Sequence, residues 1–387
     1  MKYSNRASDA SAFSGKVLSI PQAESIKQNN AVYLLKEQGR DICNLSLGEG
    51  VFSLDCAFMG GIDYVTANRY GHTRGHGALR ERISELYGTY SVSVDPRLNI
   101  LVTAGSKVGI YMSLLALLDP GDEVVVQEPL WVSYPAMVSL CGGTPVQVPY
   151  SEKFSDLPKF FTEKTKVLII NNPNNPRGQV LSPKEMADVY GECRRRGIYI
   201  VADETYAEFV SQTPFHSFGS LAQDLNRLVI VNSFSKVFSV SGWRVGYVIG
   251  AEPFMDQLLK LNQHIVTCAP MPLQIAIAQN YEAIWRQVKP QIIDVVARRN
   301  DVSRLLQSHN IQSLPGDATY YIFAKISESG LSSREFAEKL LMEHDVSVVA
   351  GIGYGDSCDG FIRISVGAES PERIANATGR IAALLSS

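Results

Sequence analysis

Residues 198–209 read IYIVADETYAEF, and residues 228–250 read LVIVNSFSKVFSVSGWRVGYVIG. Both stretches begin with a short run of β-branched and aliphatic residues that is apolar on both faces. Such runs, bounded by Gly, Pro, Asn or Asp, are typical of strands buried in a parallel sheet. Polar residues follow each run directly, at the carboxyl end of the strand, where open α/β sheets bind ligands. The two stretches therefore predict an α/β fold with a binding site at that edge.

The remainder of the chain extends this pattern into two domains. The runs EVVVQEP and TKVLIINNP have the same character and alternate with helical stretches, which predicts a mostly parallel sheet between helices. After about residue 285 the pattern changes to helix, strand, helix, strand, strand and helix, which predicts a smaller α+β domain. We expect four parts: a flexible N-terminal arm (1–15), an N-terminal segment packing with the small domain (16–60), a large domain (61–285) and a small C-terminal domain (286–387).

The composition is that of a globular protein with no strong charge. The 387 residues are 45% hydrophobic and 19% charged, which suits two domains on one chain. With 36 Lys and Arg against 39 Asp and Glu, the formal charge of -3 creates no field that favours nucleic acid or anionic lipid. The N-terminal sequence lacks the apolar core of a signal peptide, and no apolar run reaches membrane-spanning length. We expect a cytoplasmic protein that acts on small polar metabolites, without nucleic acid or membrane partners.

Residues 233–247, SFSKVFSVSGWRVGY, carry the most specific chemical signal. A lysine amine can form an imine with an aldehyde, while Ser233 and Arg244 can hold a phosphate, Arg244 in bidentate fashion. A basic surface loop would explain a lone lysine but not the whole string. The string resembles, position for position, the lysine signature of the class I/II aminotransferases, through Ser233, Ser235, Lys236, Arg244 and two glycines. This resemblance implies that Lys236 holds pyridoxal 5'-phosphate (PLP) as a Schiff base.

A second segment is expected to contact the other end of the cofactor. Asp203 follows the strand IYIVA, and in the resembled family this aspartate pairs with the pyridine nitrogen and keeps it protonated. The charged ring is then an electron sink. Tyr206 matches the family tyrosine that hydrogen-bonds the phenolic oxygen of the ring. Asp203 alone could equally be a strand-end cap. Its occurrence together with the Lys236 signature favours a catalytic role for Lys236, Asp203 and Tyr206.

The resemblance extends to the segments around two prolines. Residues 171–178, NNPNNPRG, are similar to the family's Asn-Pro-Thr-Gly turn, which implies that Asn175 shares the phenolic oxygen and borders the substrate, although Arg177 stands where Thr is usual. Trp131 matches an aromatic residue that stacks on the ring in bacterial aspartate aminotransferase-like members, although an isolated Trp is more often a core residue. By the same resemblance we expect cis peptide bonds at Glu128–Pro129 and Asn175–Pro176.

Two further features concern the cofactor phosphate. Gly105, Ser106 and Lys107 start a predicted helix, whose free N–H groups and dipole favour an anion. Such a helix start is common, but the resemblance implies that it cradles the phosphate. Tyr70 matches a tyrosine that reaches across a dimer interface to the phosphate of the partner. The implied assembly is a homodimer with shared active sites.

Four further residues concern the substrate side of the site. Arg363, in GFIRISV, matches the family arginine that binds the substrate α-carboxylate through two parallel hydrogen bonds; a surface salt bridge on an edge strand is the alternative. Gly48 is expected beside the substrate, in a segment where Gly50 replaces the usual Pro. Lys107 matches a position that can meet a distal carboxylate. Glu24 could instead repel such a carboxylate and attract a cationic side chain, or be a solvated helix residue.

The matching motifs run from about Leu45 to Val366, nearly the whole chain. They imply a fold type I PLP enzyme with a mostly parallel seven-stranded sheet, nearest to bacterial aspartate aminotransferase-like members. The implied reaction moves an amino group from an L-amino acid to a 2-oxo acid, with Lys236 as general base and ping-pong kinetics. The departures Gly50 and Arg177 leave an alternative open, in which a PLP enzyme of this fold performs elimination, cyclisation or oxidation on an amino acid, such as the basic arginine.

Two other interpretations are less well supported. A ligand sensor without catalysis is disfavoured because the lysine signature is intact and no DNA-binding segment precedes it. His72 and His76 are four residues apart, but Gly75 and Gly77 argue against a helix there and no acidic partner has zinc-site spacing. We therefore expect PLP as the cofactor and no metal ion.

Overall fold

A computed structural model describes residues 13–386 of the chain. The helices are α1 (Gly15–Leu18), α2 (Glu24–Glu37), α3 (Tyr64–Ala67), α4 (Gly77–Thr89), α5 (Ser106–Leu117), α6 (Tyr134–Leu140), α7 (Pro183–Arg196), α8 (Phe234–Val237), α9 (Glu252–Ile265), α10 (Met271–Ser308), α11 (Ser333–His344) and α12 (Pro371–Leu385). The strands are β1 (Cys43–Asn44), β2 (Ile100–Thr103), β3 (Glu123–Gln127), β4 (Thr144–Val148), β5 (Thr165–Asn171), β6 (Tyr199–Asp203), β7 (Leu228–Ser233), β8 (Gly246–Gly250), β9 (Tyr321–Lys325), β10 (Val346–Ser347), β11 (Val349–Ala350) and β12 (Phe361–Ser365). Most of the predicted arm, residues 1–12, lies outside the described residues.

The central element is a seven-stranded sheet in the order β2-β8-β7-β6-β5-β3-β4, which confirms the predicted α/β class. Only β8 runs antiparallel to its neighbours; the other pairings are parallel. Both faces are buried: Val229 and Val231 pack in one core cluster with residues of α5 and α9, and Ile230 packs in the opposite cluster with residues of α4, α7 and α10. This double burial explains why the strand sequences have no polar face.

A second, three-stranded antiparallel sheet, β11-β12-β9, forms with α11 and α12 the predicted C-terminal α+β unit. The N-terminal segment joins this unit, because Cys43 and Asn44 pair in parallel with Val346 and Ser347. Helix α10 spans 38 residues and continues across position 285, with a break in helical backbone geometry at Asn280. The two units are therefore linked by a helix as well as by β1.

Two of the local predictions concern backbone geometry and membrane character. The cis peptide bonds expected at Glu128–Pro129 and Asn175–Pro176 are present, and a third, which was not predicted, lies at Asn172–Pro173. Within residues 13–386, no helix combines the length and the apolar character needed to cross a bilayer.

Candidate active site

A cleft opens at the carboxyl ends of β5, β6 and β7, and strand β12 closes its other side. Many of the residues predicted from sequence line it together: Gly48, Ser106, Lys107, Trp131, Asn175, Asp203, Tyr206, Lys236 and Arg363. The sheet register explains part of this convergence, because Asn171 pairs with Asp203 at the ends of adjacent parallel strands. Residues far apart in sequence thus meet at the edge where open α/β sheets bind ligands.

Asp203 is buried and held by hydroxyl groups. Its Oδ2 accepts a hydrogen bond from the Tyr134 hydroxyl (2.7 Å), and its Oδ1 accepts from the hydroxyl (2.6 Å) and the N–H (3.1 Å) of Thr205. Burial raises the pKa of the Asp203 carboxyl, and the hydrogen bonds from Thr205 and Tyr134 oppose that rise. The carboxylate therefore has a fixed orientation, and a cationic partner in the cleft would further favour its charged form.

Lys236 enters the cleft from the short helix α8. Its Nζ donates to the carbonyl oxygen of Gly48 at 2.6 Å. Ser233 ends the preceding strand and caps the helix, since its hydroxyl oxygen accepts from the N–H of Ser235 at 3.0 Å. The same hydroxyl lies 2.7 Å from the hydroxyl of Ser235. The strand end and the cap together direct the lysine amine toward Gly48.

The start of helix α5 forms a cradle suited to an anion. Gly105 caps this helix with φ of 84°, and a Cβ atom there would collide with the guanidinium of Arg244. The positive φ favours glycine at this position, and the missing Cβ lets the guanidinium of Arg244 lie close to the helix N-terminus. The free N–H groups of the first turn and the guanidinium converge where a phosphate would be bound favourably.

Lys107, one residue inside helix α5, faces the cleft over an aromatic ring. Its Nζ lies 5.0 Å from the ring centroid of Trp131. Burial lowers the pKa of the Lys107 amine, and the nearby charges of Arg244 and Lys236 lower it further. Three cationic groups therefore gather around one end of the cleft, which favours anionic ligands.

Arg363 is buried in the middle strand of the small sheet, so the alternative of a surface salt bridge on an edge strand is wrong. Its Nη2 donates to the carbonyl oxygen of Ser46 at 2.7 Å, and its Nη1 lies 3.4 Å from Oδ1 of Asn175. The Nε atom is buried and finds no hydrogen-bond partner among residues 13–386. A buried guanidinium with an unused donor, at the wall of a cleft, suits a carboxylate ligand.

Several predicted residues lie outside the cleft lining. Gly105 and Arg244 form the cradle, Ser233 and Ser235 bond to each other at the end of β7, and Tyr70 is exposed. Glu24 is not among the residues that line the cleft, and its carboxylate forms an ion pair with Arg334 at 2.8 Å. The expectation that Glu24 meets a substrate side chain stays a prediction, and in this structure the partner of its carboxylate is Arg334.

Neither departure from the family pattern brings a new side chain into the cleft. Arg177 donates from its Nε to the carbonyl oxygen of Pro315 at 3.0 Å. The carbonyl oxygen of Gly50 accepts a hydrogen bond from the hydroxyl of Ser239. Within the described part of the chain, no group of three His, Cys, Asp or Glu side chains could hold a metal ion.

The sequence analysis missed several residues of the site, and three of them contact predicted groups. Thr205 holds Asp203 in an Asp-x-Thr turn, a pattern that could have been recognised. Tyr134 lies three residues after Trp131, but nothing in the sequence shows that this segment approaches Asp203. Tyr321 lines the cleft, and its hydroxyl lies 2.9 Å from that of Tyr206.

Comparisons with known proteins agree with this geometry. The family model for aminotransferase class I and II matches residues 62–381. The chain is 34% identical over 326 residues to an aspartate aminotransferase of Pyrococcus abyssi, over 82% of this chain and 84% of that protein. It is 33% identical over 317 residues to aromatic-amino-acid aminotransferase 2 of Thermococcus litoralis, over 79% and 81% of the two chains.

A solved structure shows the same similarity along almost the whole chain. The crystal structure of an aspartate aminotransferase from Thermotoga maritima matches with a TM-score of 0.88 and 29% identity, over 97% of this chain and 100% of that one. With this family match and this fold, the protein belongs to the class I and II aminotransferases, pyridoxal phosphate enzymes that transfer an amino group between an amino acid and a 2-oxo acid.

Proposed function

We propose that Lys236, Asp203 and Tyr206 are the catalytic residues of this transaminase and that PLP lies across the cleft between them. The observation that carries the proposal is the convergence of the Lys236 amine and the buried Asp203 carboxylate on one cleft beside an anion cradle. When bound, the cofactor supplies an electron-withdrawing ring that stabilises negative charge at the substrate α-carbon.

Each protein group has a task that follows from its surroundings. Asp203 carries the negative charge that favours a protonated ring nitrogen, and its two hydroxyl donors keep it oriented toward the cleft. Lys236 removes the proton from the substrate α-carbon and returns it, acting as general acid and base through Nζ. The carbonyl of Gly48 holds that amine at the cleft wall between these transfers.

The remaining cofactor contacts come from both sides of the cleft. Ser106 and Arg244 would bind the phosphate, and the absence of a side chain at Gly105 leaves room for the guanidinium of Arg244. The hydroxyl of Ser235 and the amine of Lys107 supply further donors at this end. Trp131 would stack on the ring of the bound cofactor, and Asn175 and Tyr206 would donate to its phenolic oxygen. The residue set of the cleft therefore fits PLP.

On the substrate side, Arg363 binds the α-carboxylate, and Asn175 and Gly48 border it. A basic amino donor is not part of the proposal, because the Glu24 carboxylate is paired with Arg334 and offers little attraction to a second cation. The cation Lys107 in the cleft lining instead favours donors with anionic or neutral side chains.

The reaction type is tested by following products. The PLP-loaded protein should convert a panel of L-amino acids to 2-oxo acids only when a 2-oxo acid acceptor receives the amino group. Ammonia and hydrogen peroxide are measured in parallel, since elimination and oxidation release them. Release of either without amino transfer to any acceptor would replace this proposal with the alternative of elimination or oxidation.

The proposal includes a homodimer in which Tyr70 reaches the partner's phosphate site. In one subunit Tyr70 is 85% exposed and Val65 is 75% exposed. Apolar residues exposed together in one segment are typical of an interface. The near-neutral charge of the chain and the absence of a spanning helix among residues 13–386 are compatible with the further proposal that this dimer works in the cytoplasm.

Mixing two inactive variants tests the shared site. Tyr70→Ala and Lys236→Ala should each be inactive or nearly so as homodimers. Unfolded and refolded together, they should form heterodimers with one intact site, which restores about a quarter of the wild-type activity by subunit statistics. No recovery, with heterodimers verified by mass, would mean that Tyr70 serves its own subunit or none.

The domain division is a proposal of the same kind. Residues 61–285 form the PLP-binding domain, residues 286–387 the small domain, and residues 16–60 pack with the latter. The pairing of β1 with β10 supports the third assignment. A small domain attached through α10 and β1 could shift as a unit over the cleft, which would bring Arg363 toward the bound substrate.

A further inference from the structure

Tyr321 occupies a position between the two ends of the active site. It lies at the start of β9, is 1% exposed and contributes to the cleft lining. Its hydroxyl oxygen is 2.9 Å from that of Tyr206, and its ring centroid is 4.4 Å from the guanidinium carbon of Arg363. Gly48 leaves room for this hydroxyl, since a Cβ atom at Gly48 would come within 3.3 Å of it.

We propose that Tyr321 is a positioning residue for the transamination: its hydroxyl directs the hydroxyl of Tyr206, and its ring holds the guanidinium of Arg363. One side chain would then align both the group assigned to the cofactor and the group assigned to the substrate carboxylate. The inference rests on the proposed roles of Tyr206 and Arg363. Its test distinguishes a failure of the inference from a failure of the proposed function.

The hydroxyl pair has only one productive arrangement of protons. A hydrogen bond between two hydroxyls needs one donor and one acceptor. Burial raises the pKa of the Tyr206 hydroxyl, so it keeps its proton near neutral pH. If that proton is donated to the phenolic oxygen of the cofactor, Tyr321 must donate to the oxygen of Tyr206. Such a chain makes Tyr206 a stronger donor than it would be alone.

The ring of Tyr321 restrains the arginine in a different way. The guanidinium of Arg363 lies over this ring, within the range of a cation–π contact. Its Nη2 is held by the carbonyl of Ser46, which leaves the buried Nε without a partner among residues 13–386. A flat ring beneath the guanidinium limits its rotation, and Arg363 is at the same time a lining residue of the cleft. The arginine is therefore ordered before the substrate carboxylate arrives.

Two substitutions separate the hydroxyl from the ring. Tyr321→Phe removes the hydroxyl only. A hydrogen bond to the phenolic oxygen favours its anionic form, so the pH midpoint of the visible absorption change of the bound cofactor should rise by about 0.3 to 0.6 unit. Tyr321→Leu removes the ring as well. It should raise the dissociation constant of an unreactive competing carboxylate, such as maleate or 3-phenylpropionate, roughly 3- to 30-fold, whereas Tyr321→Phe should change it by less than about twofold.

A control variant accounts for general effects of removing a buried tyrosine hydroxyl. Tyr190 is 7% exposed in α7, and its hydroxyl has no hydrogen-bond partner within the described residues. Tyr190→Phe should therefore leave the midpoint and the carboxylate affinity at wild-type values. A shift as large as that of Tyr321→Phe would show that the effect is not specific to the site.

The outcomes distinguish this inference from the proposed function. A wild-type cofactor band that persists in Lys236→Ala would refute the role of Lys236 itself. If that band behaves as expected but Tyr321→Phe leaves the pH midpoint unchanged, Tyr321 does not direct Tyr206. If Tyr321→Leu keeps the carboxylate affinity of the wild type, its ring does not hold Arg363. Should Tyr321→Leu fail to fold, the midpoint in Tyr321→Phe still decides the first part.

Discussion

Lys236→Ala is expected to lower kcat for transamination by a factor on the order of 10⁴ or more, because it removes both the covalent link to the cofactor and the group that moves the α-proton. Reduction of the wild-type holoenzyme with borohydride, followed by peptide mass spectrometry, should find the cofactor mass on Lys236. The variant should show no such adduct, although the phosphate cradle at the start of α5 should still bind the cofactor reversibly.

Lys107 is the alternative site at which the cofactor adduct could form, so it serves as an internal control for this experiment. It is the other lysine lining the cleft within residues 13–386, and burial lowers the pKa of its amine, which makes it a competent nucleophile as well. The amine of Lys236, however, is the one held at the wall by Gly48. Adduct formation at Lys107 in the wild-type protein would overturn the assignment of the two lysines.

The lysine signature and the strand runs were sufficient to predict the fold and most of the cleft. The predictions rest on the principle that ligands bind at the carboxyl ends of such strands, and Asn175, Asp203 and Lys236 all line the cleft at that edge. The alternation of side chains along β6 also separates Asp203 from its neighbour. Asp203 faces the cleft, whereas Glu204 is buried among Ser217, Phe218 and Tyr87, where burial raises its pKa to about 8.

Apart from Thr205, what the sequence analysis missed at the site concerns contacts between segments distant in sequence. The partner of Glu24 is 310 positions away, on a helix of the small unit, so the local sequence of α2 could not show that its charge is neutralised. Tyr321 meets Tyr206 across a separation of 115 residues. From sequence alone, a tyrosine in a buried strand is interpreted as a core residue. Only the folded structure shows that a second hydroxyl lies next to it.

Arg363→Lys is expected to lower kcat/KM for amino acid donors by roughly 30- to several-thousand-fold, since a lysine keeps the charge but loses the planar fork and leaves buried acceptors unpaired. Most of the loss should be in KM, because the carboxylate is bound both before and during the reaction. Steady-state kinetics with the best donor of the panel, together with carboxylate affinity, measure this division.

The guanidinium of Arg363 also contacts Ser46, Asn175 and Tyr321, so a loss of activity could come from the fold rather than from the carboxylate. An amine substrate that lacks the carboxylate separates the two causes. It should react poorly with the wild type, because it cannot form the carboxylate contact with Arg363. Arg363→Lys should slow it little further, because this substrate has no carboxylate contact to lose. Arg334→Lys, which changes an arginine paired with Glu24 outside the cleft, should keep wild-type kinetics. An equal loss for both substrates in Arg363→Lys would show that Arg363 supports the cleft structure rather than the substrate.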